Sequence, residues 1–347
     1  MTISAARAED AVQFHAGQRA NDTLALRCPN CHASMGSVRY AAPSIFETGP
    51  RCSGCSFAIL SSQGIWKALC PERQRYYDRF LSEYQIVRAA EGRGSHSADY
   101  YLALPYRDLS GHNQDQWTIR SRTYSYIERQ ILNPIAEGTG SPLLVLDLGA
   151  GNAWLSYRLA LRRHLPVAVD LSINGRDGLG AAAHYLQSLP ALFPRFQAEL
   201  DRLPFADSQF DCAIFGASFH YSEDYGRTLA EAIRCLRPGG TVIIADSPWY
   251  EDDESGQQML RERRAHFIEH YGFPSDGLAS LEYLTDKRLA ALESQFGISW
   301  SIHRPQYGLR WTMRPLVAKL RRRRQPSQFR VYVAKIKLPQ AQAGKTQ

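Results

Sequence analysis

The chain has 347 residues, of which 44% are hydrophobic and 22% are charged, and its formal net charge is +7. This length and composition fit one or two globular domains with a sizeable core. No run approaches the ~20 apolar residues of a membrane span, and the opening residues, MTISAARAED, contain no apolar signal-peptide core. We therefore expect a soluble, cytoplasmic protein whose seven cysteines bind a metal or stay reduced.

Four of the cysteines form two pairs near the N-terminus. Cys28 and Cys31 make one C-x2-C pair, and Cys52 and Cys55 make a second pair after twenty intervening residues. This spacing is typical of a zinc ribbon, because four thiolates on two tight turns suit tetrahedral Zn²⁺. Four sulfur ligands leave no position for a water molecule, so we expect a structural zinc. The alternative is four unrelated reduced thiols.

The middle of the chain contains a strand, a glycine-rich turn and a helix. The apolar run Leu143–Leu146 predicts a buried parallel strand, and Gly149-Ala150-Gly151 predicts a tight turn ahead of residues with helical spacing. Glycines allow the backbone to approach a ligand, and the helix N-terminus directs free N–H groups to the same place. The pattern therefore predicts a site for a polar ligand. A dinucleotide-binding fingerprint is excluded, because Trp154 stands where a glycine or alanine is required.

A second acidic residue follows the next predicted strand. Pro166–Val169 is apolar and ends in Asp170, which lies 23 positions after Asp147. In nucleoside-binding α/β folds, an acid at this point binds the ribose hydroxyls. The alternative is an exposed aspartate at a strand end. Beyond it, strand and helix patterns alternate, which predicts a parallel α/β sheet.

Four motifs in this half resemble those of class I S-adenosylmethionine (SAM)-dependent methyltransferases of the type 11-like group. The first is Asp147-x-Gly149-x-Gly151-x-Ala153, in which alanine replaces the family's common third glycine. The others are residues 197–205 (QAELDRLPF), Phe210–Phe215, and Leu236–Ala245 (LRPGGTVIIA). The resemblance implies a Rossmann-like, seven-stranded α/β sheet and SAM as the methyl donor.

The resemblance also implies which residues bind the donor. They are Asp147, Gly149, Ala150, Gly151, Asp170, Leu171, Glu199, Leu200, Asp201, Ala217 and Arg120. In the family's register Glu199 meets the adenine amino group and the backbone of Leu200 faces the ring, while Asp201 is the alternative acid if the register shifts by two. Arg120 would pair with the methionyl carboxylate. The alternative for Arg120 is a surface ion pair, with the nearby aromatic residues forming core rather than pocket.

Two segments after the fourth and fifth strands are expected to flank the transferred methyl group. Ligands in such sheets bind at the carboxyl ends of the strands. His220 is the candidate general base, because its ordinary pKa suits that role, and Tyr221, Asp246 and Tyr250 are supporting candidates. The alternative is a structural histidine. These loops lack the Asn/Asp-Pro-Pro-Tyr motif of many base amino methylases, so an oxygen, carbon or ring nitrogen is the expected acceptor atom.

The predicted organisation follows from these motifs. It comprises a disordered N-terminus (1–23), a four-cysteine zinc ribbon (24–66), a helical and aromatic segment that covers the pocket (67–140), the methyltransferase domain (141–338) and a tail (339–347). The middle segment includes predicted helices at Pro71–Ala90 and at Trp117–Leu132, the second ending before Pro134. Within the methyltransferase domain we expect a helical insertion at about 251–296, with a helix from Ser280, and a basic segment at 304–324.

The basic segment leaves three functions open. Residues 304–324 contain eight cations, no acid, and the aromatic residues Tyr307 and Trp311. Such a segment suits RNA, an anionic membrane surface or a solvated loop. We favour a methyltransferase acting on a small or lipid-like molecule. The alternatives are an RNA methyltransferase that grips RNA with the ribbon and this segment, and a non-catalytic SAM-binding or interaction protein. The ribbon resembles those of some ribosomal RNA guanine methyltransferases but lacks the histidine that these often carry in the second pair.

Overall fold

The computed structural model describes residues 22–337. The predictions of a disordered N-terminus and of a tail lie outside these residues, apart from residues 22 and 23. The strands are β1 (Thr23–Arg27), β2 (Ser34–Arg39), β3 (Thr48–Arg51), β4 (Ala58–Ser62), β5 (Ile65–Lys67), β6 (Leu144–Leu148), β7 (Leu165–Asp170), β8 (Arg195–Gln197), β9 (Phe210–Gly216), β10 (Leu236–Ala245), β11 (Ser301–His303) and β12 (Val331–Lys335). The α-helices are α1 (Pro71–Ala90), α2 (Ala98–Ala103), α3 (Gln114–Ile127), α4 (Asn133–Thr139), α5 (Trp154–Leu161), α6 (Tyr225–Cys235), α7 (Asp253–Tyr271), α8 (Asp286–Phe296), α9 (Leu309–Thr312) and α10 (Arg314–Leu320).

Ten of these strands form one mixed sheet, in the order β11-β12-β10-β9-β6-β7-β8-β5-β4-β3. Counted from one to seven along the chain, β6–β12 lie in the order 3-2-1-4-5-7-6, so the sheet is doubly wound and its order reverses between β6 and β9. Strands β6 to β10 run parallel, whereas β12 is antiparallel to both of its neighbours. The predicted Rossmann-like α/β sheet is confirmed, its seven strands are β6–β12, and β11 and β12 form an antiparallel pair at one edge.

The central strands are mostly apolar because helices cover both faces of the sheet. In β9, Cys212 and Ile214 enter the core beneath α3–α5, and Ala213 and Phe215 enter the core beneath α6 and α8. A parallel strand covered on both sides reads as a continuous apolar run, which makes it recognisable in the sequence. The loops at the carboxyl ends of β6, β7, β9 and β10 therefore stand on a rigid base.

The N-terminal cysteine module is continuous with the main sheet. Strand β5 pairs in parallel with β8, with Trp66 opposite Phe196, so that β3–β5 extend the sheet from seven strands to ten. The backbone groups of an edge strand need a partner, and β5 supplies one to β8. The boundary expected at residue 66 thus falls inside a strand. Strands β1 and β2 form a separate antiparallel pair.

Two helices differ from their expected bounds. The helix predicted to end before Pro134 continues through a π-helical turn (Glu128–Leu132) into α4. The wider turn places Pro134 in the first turn of α4, where its missing N–H costs least. The helix expected from Ser280 begins at α8 instead, because Thr285 caps it by accepting a hydrogen bond from the Arg288 N–H at 3.3 Å.

Helices α1, α3 and α7 cover the edge of the sheet at which the parallel strands end. Helix α7 begins after Asp252, whose Oδ1 accepts a hydrogen bond from the Ser255 N–H at 2.6 Å. Within residues 22–337, none of the helices has both the length and the apolar character needed to span a bilayer.

Candidate active site

The glycine turn after β6 lies where the strand order reverses. Gly149 has a φ of +73°, and a Cβ there would lie 2.2 Å from the Cβ of Ser218, so only glycine fits. The N–H groups of Gly149 and Ala150 donate to the carbonyl of Val169 at 2.8 and 3.0 Å, which ties the turn to β7. Ala153 adopts a left-handed φ of +59°, so the turn tolerates alanine at the family's third glycine position.

A cavity, here called the switch-point cavity, opens over this turn. Eight of the eleven residues expected to bind the donor line it, namely Gly149, Ala150, Gly151, Asp170, Leu171, Leu200, Ala217 and Arg120. They come from the loops after β6, β7, β8 and β9 and from α3. The structure thus brings together in one place residues that are up to 97 positions apart in the sequence (Arg120 to Ala217).

Asp170 is the acid on the wall of the switch-point cavity at the end of β7. Its Oδ2 accepts a hydrogen bond from the Gly151 N–H at 2.8 Å, and its Oδ1 accepts one from the Ser172 N–H at 2.7 Å. Burial raises the pKa of Asp170 to about 6 despite these two hydrogen bonds. Each carboxylate oxygen has a second lone pair, so Asp170 can still accept from two further hydroxyl groups.

The other three acids expected to bind the donor do not line the cavity. Asp147 is buried, and its Oδ2 accepts hydrogen bonds from the N–H and the hydroxyl of Ser156 at 3.1 and 2.7 Å. Burial raises the pKa of Asp147 to about 7. Asp147 therefore anchors the first turn of α5 beneath the glycine turn, a supporting role rather than direct contact with a ligand in the cavity.

Glu199 and Asp201 are both held by arginines outside the cavity. The Glu199 Oε1 accepts hydrogen bonds from the Arg73 guanidinium at 2.7 Å and from the Tyr77 hydroxyl at 3.0 Å. Asp201 pairs with Arg227 at 2.9 Å. Between these two acids, Leu200 lines the cavity. The loop indicated by the family's register therefore contributes Leu200 to the cavity, whereas Glu199 faces α1.

Helix α1 supplies wall residues that the sequence did not identify. Phe80, Tyr84 and Arg88 line the switch-point cavity, and Arg88 forms an ion pair with Asp177, in the loop after β7. The signal available in the sequence was an arginine one helical turn after a tyrosine, which is common on any helix surface. The clustered aromatic residues Tyr100, Tyr101 and Trp117 are core instead, in agreement with the alternative interpretation.

A second cavity of about 320 Å³, here called the adjoining chamber, lies beside the first. The two share six wall residues, Phe80, Tyr84, Arg88, Arg120, Ala217 and Tyr221. All three residues proposed from sequence as catalytic, His220, Tyr221 and Asp246, line the adjoining chamber. Tyr250 does not line it, and its hydroxyl accepts a hydrogen bond from Arg324 at 3.3 Å.

His220 is buried and neutral. Burial lowers its pKa to about 4, although Glu282 acts in the opposite direction. Its Nδ1 lies 3.3 Å from the hydroxyl of Ser247. When Nδ1 carries the proton and donates it to Ser247, Nε2 is an acceptor. At physiological pH the neutral imidazole can accept a hydrogen bond, but its lowered pKa makes it a weaker base than the ordinary pKa used in the sequence analysis implies.

Asp246 follows β10 and belongs to a chain of hydrogen bonds. Its Oδ1 accepts a hydrogen bond from the Thr123 hydroxyl at 2.6 Å, and the Thr123 oxygen lies 2.8 Å from the Tyr307 hydroxyl. Burial raises the pKa of Asp246, and Thr123 and Arg120 act in the opposite direction. The backbone of Asp246 is left-handed, with a φ of +53°. Strain of this kind is commonly concentrated at functional sites.

Glu282 and Arg263 close the far side of the adjoining chamber. Arg263 donates two hydrogen bonds to the carboxylate, at 2.5 and 2.8 Å, and the Ser280 hydroxyl donates a third at 2.5 Å. Burial alone would raise the pKa of Glu282, but the bidentate Arg263 outweighs it and the pKa is lowered. The sequence did not identify this pair, because its members lie on α7 and in an extended loop before α8.

Arg120 lies where the two cavities meet. Among the residues that the structure describes, no acid or hydrogen-bond acceptor contacts its guanidinium, which instead lies 4.8 Å from the Trp117 ring centroid. Burial, together with the positive charges of Arg93 and Arg88, lowers its pKa to about 10. A cation in this environment would be stabilised by an anionic ligand group. Among the described residues, Arg120 therefore does not form the surface ion pair of the alternative interpretation.

The four N-terminal cysteines converge as the spacing predicted. The sulfur atoms of Cys28 and Cys55 are 3.5 Å apart, those of Cys31 and Cys52 are 3.4 Å apart, and all four lie within 4.8 Å of one another. A tetrahedron with Zn–S bonds of about 2.3 Å has sulfur atoms about 3.8 Å apart. The four thiols therefore have the right number, type and spacing for one zinc ion.

Comparison with known proteins agrees with this geometry. Residues 146–244 match the family model described as a methyltransferase domain. The sarcosine/dimethylglycine N-methyltransferase of Halorhodospira halochloris is 29% identical over 195 residues, which cover 55% of this chain and 68% of that enzyme. The demethylmenaquinone methyltransferase of Mycolicibacterium vanbaalenii is 33% identical over 102 residues, which cover 29% of this chain and only 41% of that enzyme.

Among solved structures, a similar one is the Burkholderia thailandensis 1,6-didemethyltoxoflavin-N1-methyltransferase with bound 1,6-didemethyltoxoflavin and S-adenosylhomocysteine. It is 18% identical, with a TM-score of 0.41, and the match covers 74% of this chain and 90% of that one. The family match falls on β6 to β10, the strands that carry the glycine turn, Asp170 and Ala217. Residues 146–244 of the chain therefore form a domain that matches the methyltransferase family model.

Proposed function

We propose that the protein transfers a methyl group from SAM, bound in the switch-point cavity, to a small or lipid-like organic molecule bound in the adjoining chamber. The observation that carries this proposal is the wall shared by the two cavities, which includes Arg120, Ala217 and Tyr221. Molecules that fill the two cavities would meet there. Methyl transfer is an in-line displacement, so it requires this end-to-end arrangement of donor and acceptor.

The residues present fit the donor. The turn at Gly149 has no room for a side chain, Asp170 has lone pairs for two hydroxyl groups, and Arg120 contacts no acid within the described part of the chain. In the proposed assignment Asp170 holds the ribose, Leu171 and Leu200 flank the adenine, and Arg120 pairs with the methionyl carboxylate. When bound, SAM would supply a methyl group attached to a positively charged sulfur. The sulfur is a good leaving group because it departs with the bonding electrons as neutral S-adenosylhomocysteine.

The chain's own contribution is alignment, exclusion of water and control of one proton. Tyr84 and Tyr221, whose ring centroids are 6.2 Å apart, stand on the shared wall and shield it from solvent. If the acceptor atom carries a proton, neutral His220 is placed to receive it. Tyr221 and Asp246 would orient the acceptor by hydrogen bonds. The loops therefore hold His220, Tyr221 and Asp246, the polar groups next to the methyl group, in fixed positions.

The adjoining chamber favours a small organic acceptor. Its volume of about 320 Å³ lies at the lower end of the range of ligand pockets. Aliphatic and aromatic side chains, such as Ile119, Phe267 and Leu278, alternate with arginines along its wall. Relatives named for sarcosine/dimethylglycine and for demethylmenaquinone are consistent with an acceptor of this kind. Neither relative determines the acceptor of this protein.

We also propose that Cys28, Cys31, Cys52 and Cys55 hold a structural Zn²⁺. The module joins the main sheet through β5, and β5 leads directly into α1, which lines both cavities. Loss of the metal is expected to loosen this connection. Metal analysis of the purified protein should find about one zinc per chain, and Cys31→Ser should lose it and lower the melting temperature. Full stability without bound metal would contradict this assignment.

The experiment that tests the main proposal uses SAM carrying a radiolabelled methyl group. The purified protein is incubated separately with small-molecule, lipid and RNA fractions, each with and without the SAM analogue S-adenosylhomocysteine as inhibitor. Inhibitable transfer of label to the small-molecule or lipid fraction supports the proposal. Transfer to RNA alone contradicts it, as does binding of SAM with no transfer to any fraction. Mass spectrometry of the labelled product then identifies the acceptor.

A further inference from the structure

The basic segment folds into a nearly continuous helix on the surface. Helices α9 and α10 are joined by Met313, which is itself in the right-handed helical conformation. The N–H of Met313 donates to the Leu309 carbonyl, and the N–H of Val317 donates to the Met313 carbonyl, both at 3.0 Å. The first bond closes α9 and the second opens α10, while Pro315 has no N–H to add a bond between them, so two short helices follow one another directly from Leu309 to Leu320.

One face of this helix is apolar and exposed. The side chains on it are Leu309 (85% exposed), Met313 (46%), Leu316 (49%), Val317 (40%) and Leu320 (76%). Their spacing of four, three, one and three residues places them on a single stripe. They are five of the sixteen large exposed apolar residues in the described part of the chain, although the helix is only about three turns long. Such a concentration of exposed apolar surface marks an interaction site.

Cations border the stripe. Lys319, Arg321, Arg322 and Arg323 are exposed, and among the described residues none of the four has an ion-pair partner. Arg310 approaches Asp115 at 3.6 Å, but both side chains are almost fully exposed, so this pair contributes little. The segment 304–324 has no acid of its own. The partner of this surface must therefore be both anionic and apolar.

The aromatic residues of the segment face inward. The Trp311 ring stacks on Phe329 with centroids 5.3 Å apart, and the Tyr307 hydroxyl bonds to Thr123. Proteins that bind single-stranded RNA usually present aromatic rings on which bases stack. Here only aliphatic side chains point outward, and these match the acyl region of a bilayer rather than nucleotide bases. Tyr307 and Trp311, which suit RNA in the sequence, are half-buried and held by Thr123 and Phe329, so neither belongs to the outward apolar face.

We propose that the face formed by Leu309, Met313, Leu316, Val317 and Leu320 docks on an anionic lipid surface. The aliphatic side chains would enter the boundary between headgroups and acyl chains, and the cations would bind lipid phosphates. Phe329, which supports Trp311 from beneath, also lines the adjoining chamber. The docked face therefore lies on the wall next to the chamber. This inference stands apart from the proposed methylation, since it concerns binding alone.

Co-sedimentation of the full chain with vesicles tests the proposal. Vesicles of phosphatidylcholine alone are compared with vesicles containing 30 mol% phosphatidylglycerol, roughly the anionic content at which several cations act together. We expect at least tenfold stronger binding to the anionic vesicles. The triple variants Leu309→Gln/Leu316→Gln/Leu320→Gln and Arg321→Gln/Arg322→Gln/Arg323→Gln should each lose tenfold or more.

The controls separate lipid binding from general charge attraction and from misfolding. Leu186→Gln removes an exposed leucine elsewhere on the surface and should bind vesicles as the wild type does. Each variant should keep the wild-type melting temperature and affinity for S-adenosylhomocysteine. Equal binding to both vesicle types, or to neither, overturns the proposal. So does an unchanged leucine variant combined with competition by RNA, which would indicate a nucleic-acid surface.

Discussion

Replacement of Asp170 by asparagine tests the donor assignment most directly. The wild-type carboxylate accepts hydrogen bonds from the N–H groups of Gly151 and Ser172 and can accept two more from the ribose. Asparagine has the same shape but presents an NH₂ group in place of one oxygen. It therefore loses the charge and one acceptor while leaving the side-chain volume unchanged.

The expected magnitude follows from the number of bonds affected. A hydrogen bond to a charged group contributes about 1.5–3 kcal/mol, and a bond to a neutral group contributes about 0.5–1.5 kcal/mol. Two ribose hydroxyls each lose about 1.5 kcal/mol when the acceptor becomes neutral. The sum of about 3 kcal/mol corresponds to a roughly 100-fold rise in the Kd for S-adenosylhomocysteine.

The pH dependence gives an independent check. Burial raises the pKa of Asp170 to about 6, so the wild-type carboxyl becomes protonated as the pH falls through 6. The Kd should then rise, approaching tenfold per pH unit below about 6, whereas Asp170→Asn should show no such dependence. A carboxyl whose pKa is raised by folding costs stability above that pKa, and the cost disappears at lower pH. Protonation of Asp170 therefore weakens binding without unfolding the protein.

Isothermal titration calorimetry with S-adenosylhomocysteine measures both effects, and thermal melting confirms folding. The matched control is Asp201→Asn, which breaks an ion pair with Arg227 outside the cavity and should change the Kd less than about twofold. An affinity within threefold of wild type in a folded Asp170→Asn protein would refute the ribose assignment. A large loss in the control instead would restore the register in which Asp201 meets the donor.

Three further predictions follow from the site. His220→Gln should lower kcat on the identified acceptor by about 10²–10⁴-fold with an unchanged Kd for S-adenosylhomocysteine, and full turnover would remove His220 from the base role. Gly149→Ala should abolish measurable donor binding, because a Cβ would lie 2.2 Å from a neighbouring side chain. At Gly151 a Cβ has space but φ is positive, so Gly151→Ala should cost only about 1–2 kcal/mol of stability. Loss of donor binding in Gly151→Ala as complete as in Gly149→Ala would contradict this. Arg263→Gln should lower the free energy of unfolding by about 3–5 kcal/mol at pH 7, measured in urea, because it leaves the carboxylate of Glu282 buried without its ion-pair partner. Burial then raises the pKa of Glu282, so this loss should shrink as the pH falls toward and below the ordinary pKa of glutamate. A pH-independent loss would argue against the pairing.

The sequence alone determined the strands of the sheet and the turn at its centre. Continuous apolar runs such as Leu143–Leu146 are recognisable because strands covered on both faces contain few polar positions. The turn at Gly149 is recognisable because its backbone excludes side chains. The four cysteines are equally recognisable in the sequence as metal ligands, since the ligands of a zinc ribbon come in closely spaced pairs. These features depend on short stretches of chain, and the structure contains each of them.

Which acidic side chains face the ligand was decided by tertiary packing. Asp170 and Glu199 are both expected from the sequence to bind the donor, but only Asp170 lines the cavity, because Arg73 and Tyr77 on α1 hold Glu199 by hydrogen bonds. No residue near Glu199 in the sequence indicates that its partner is Arg73, which lies 126 residues away. The direction of a side chain at a strand end depends on such distant groups.

The adjoining chamber belongs entirely to the tertiary structure. Its wall joins α1, α3 and α7 to the loops after β9 and β10, and its charged pair Arg263–Glu282 is formed between two parts of the predicted helical insertion that lie 19 residues apart. The same holds for the outward apolar stripe on α9 and α10, which becomes visible only once Trp311 is seen to stack on Phe329 on the opposite side. Local patterns fix which residues can form a strand, a turn or a pair of metal ligands. Burial and pairing across the fold decide which other groups those residues contact.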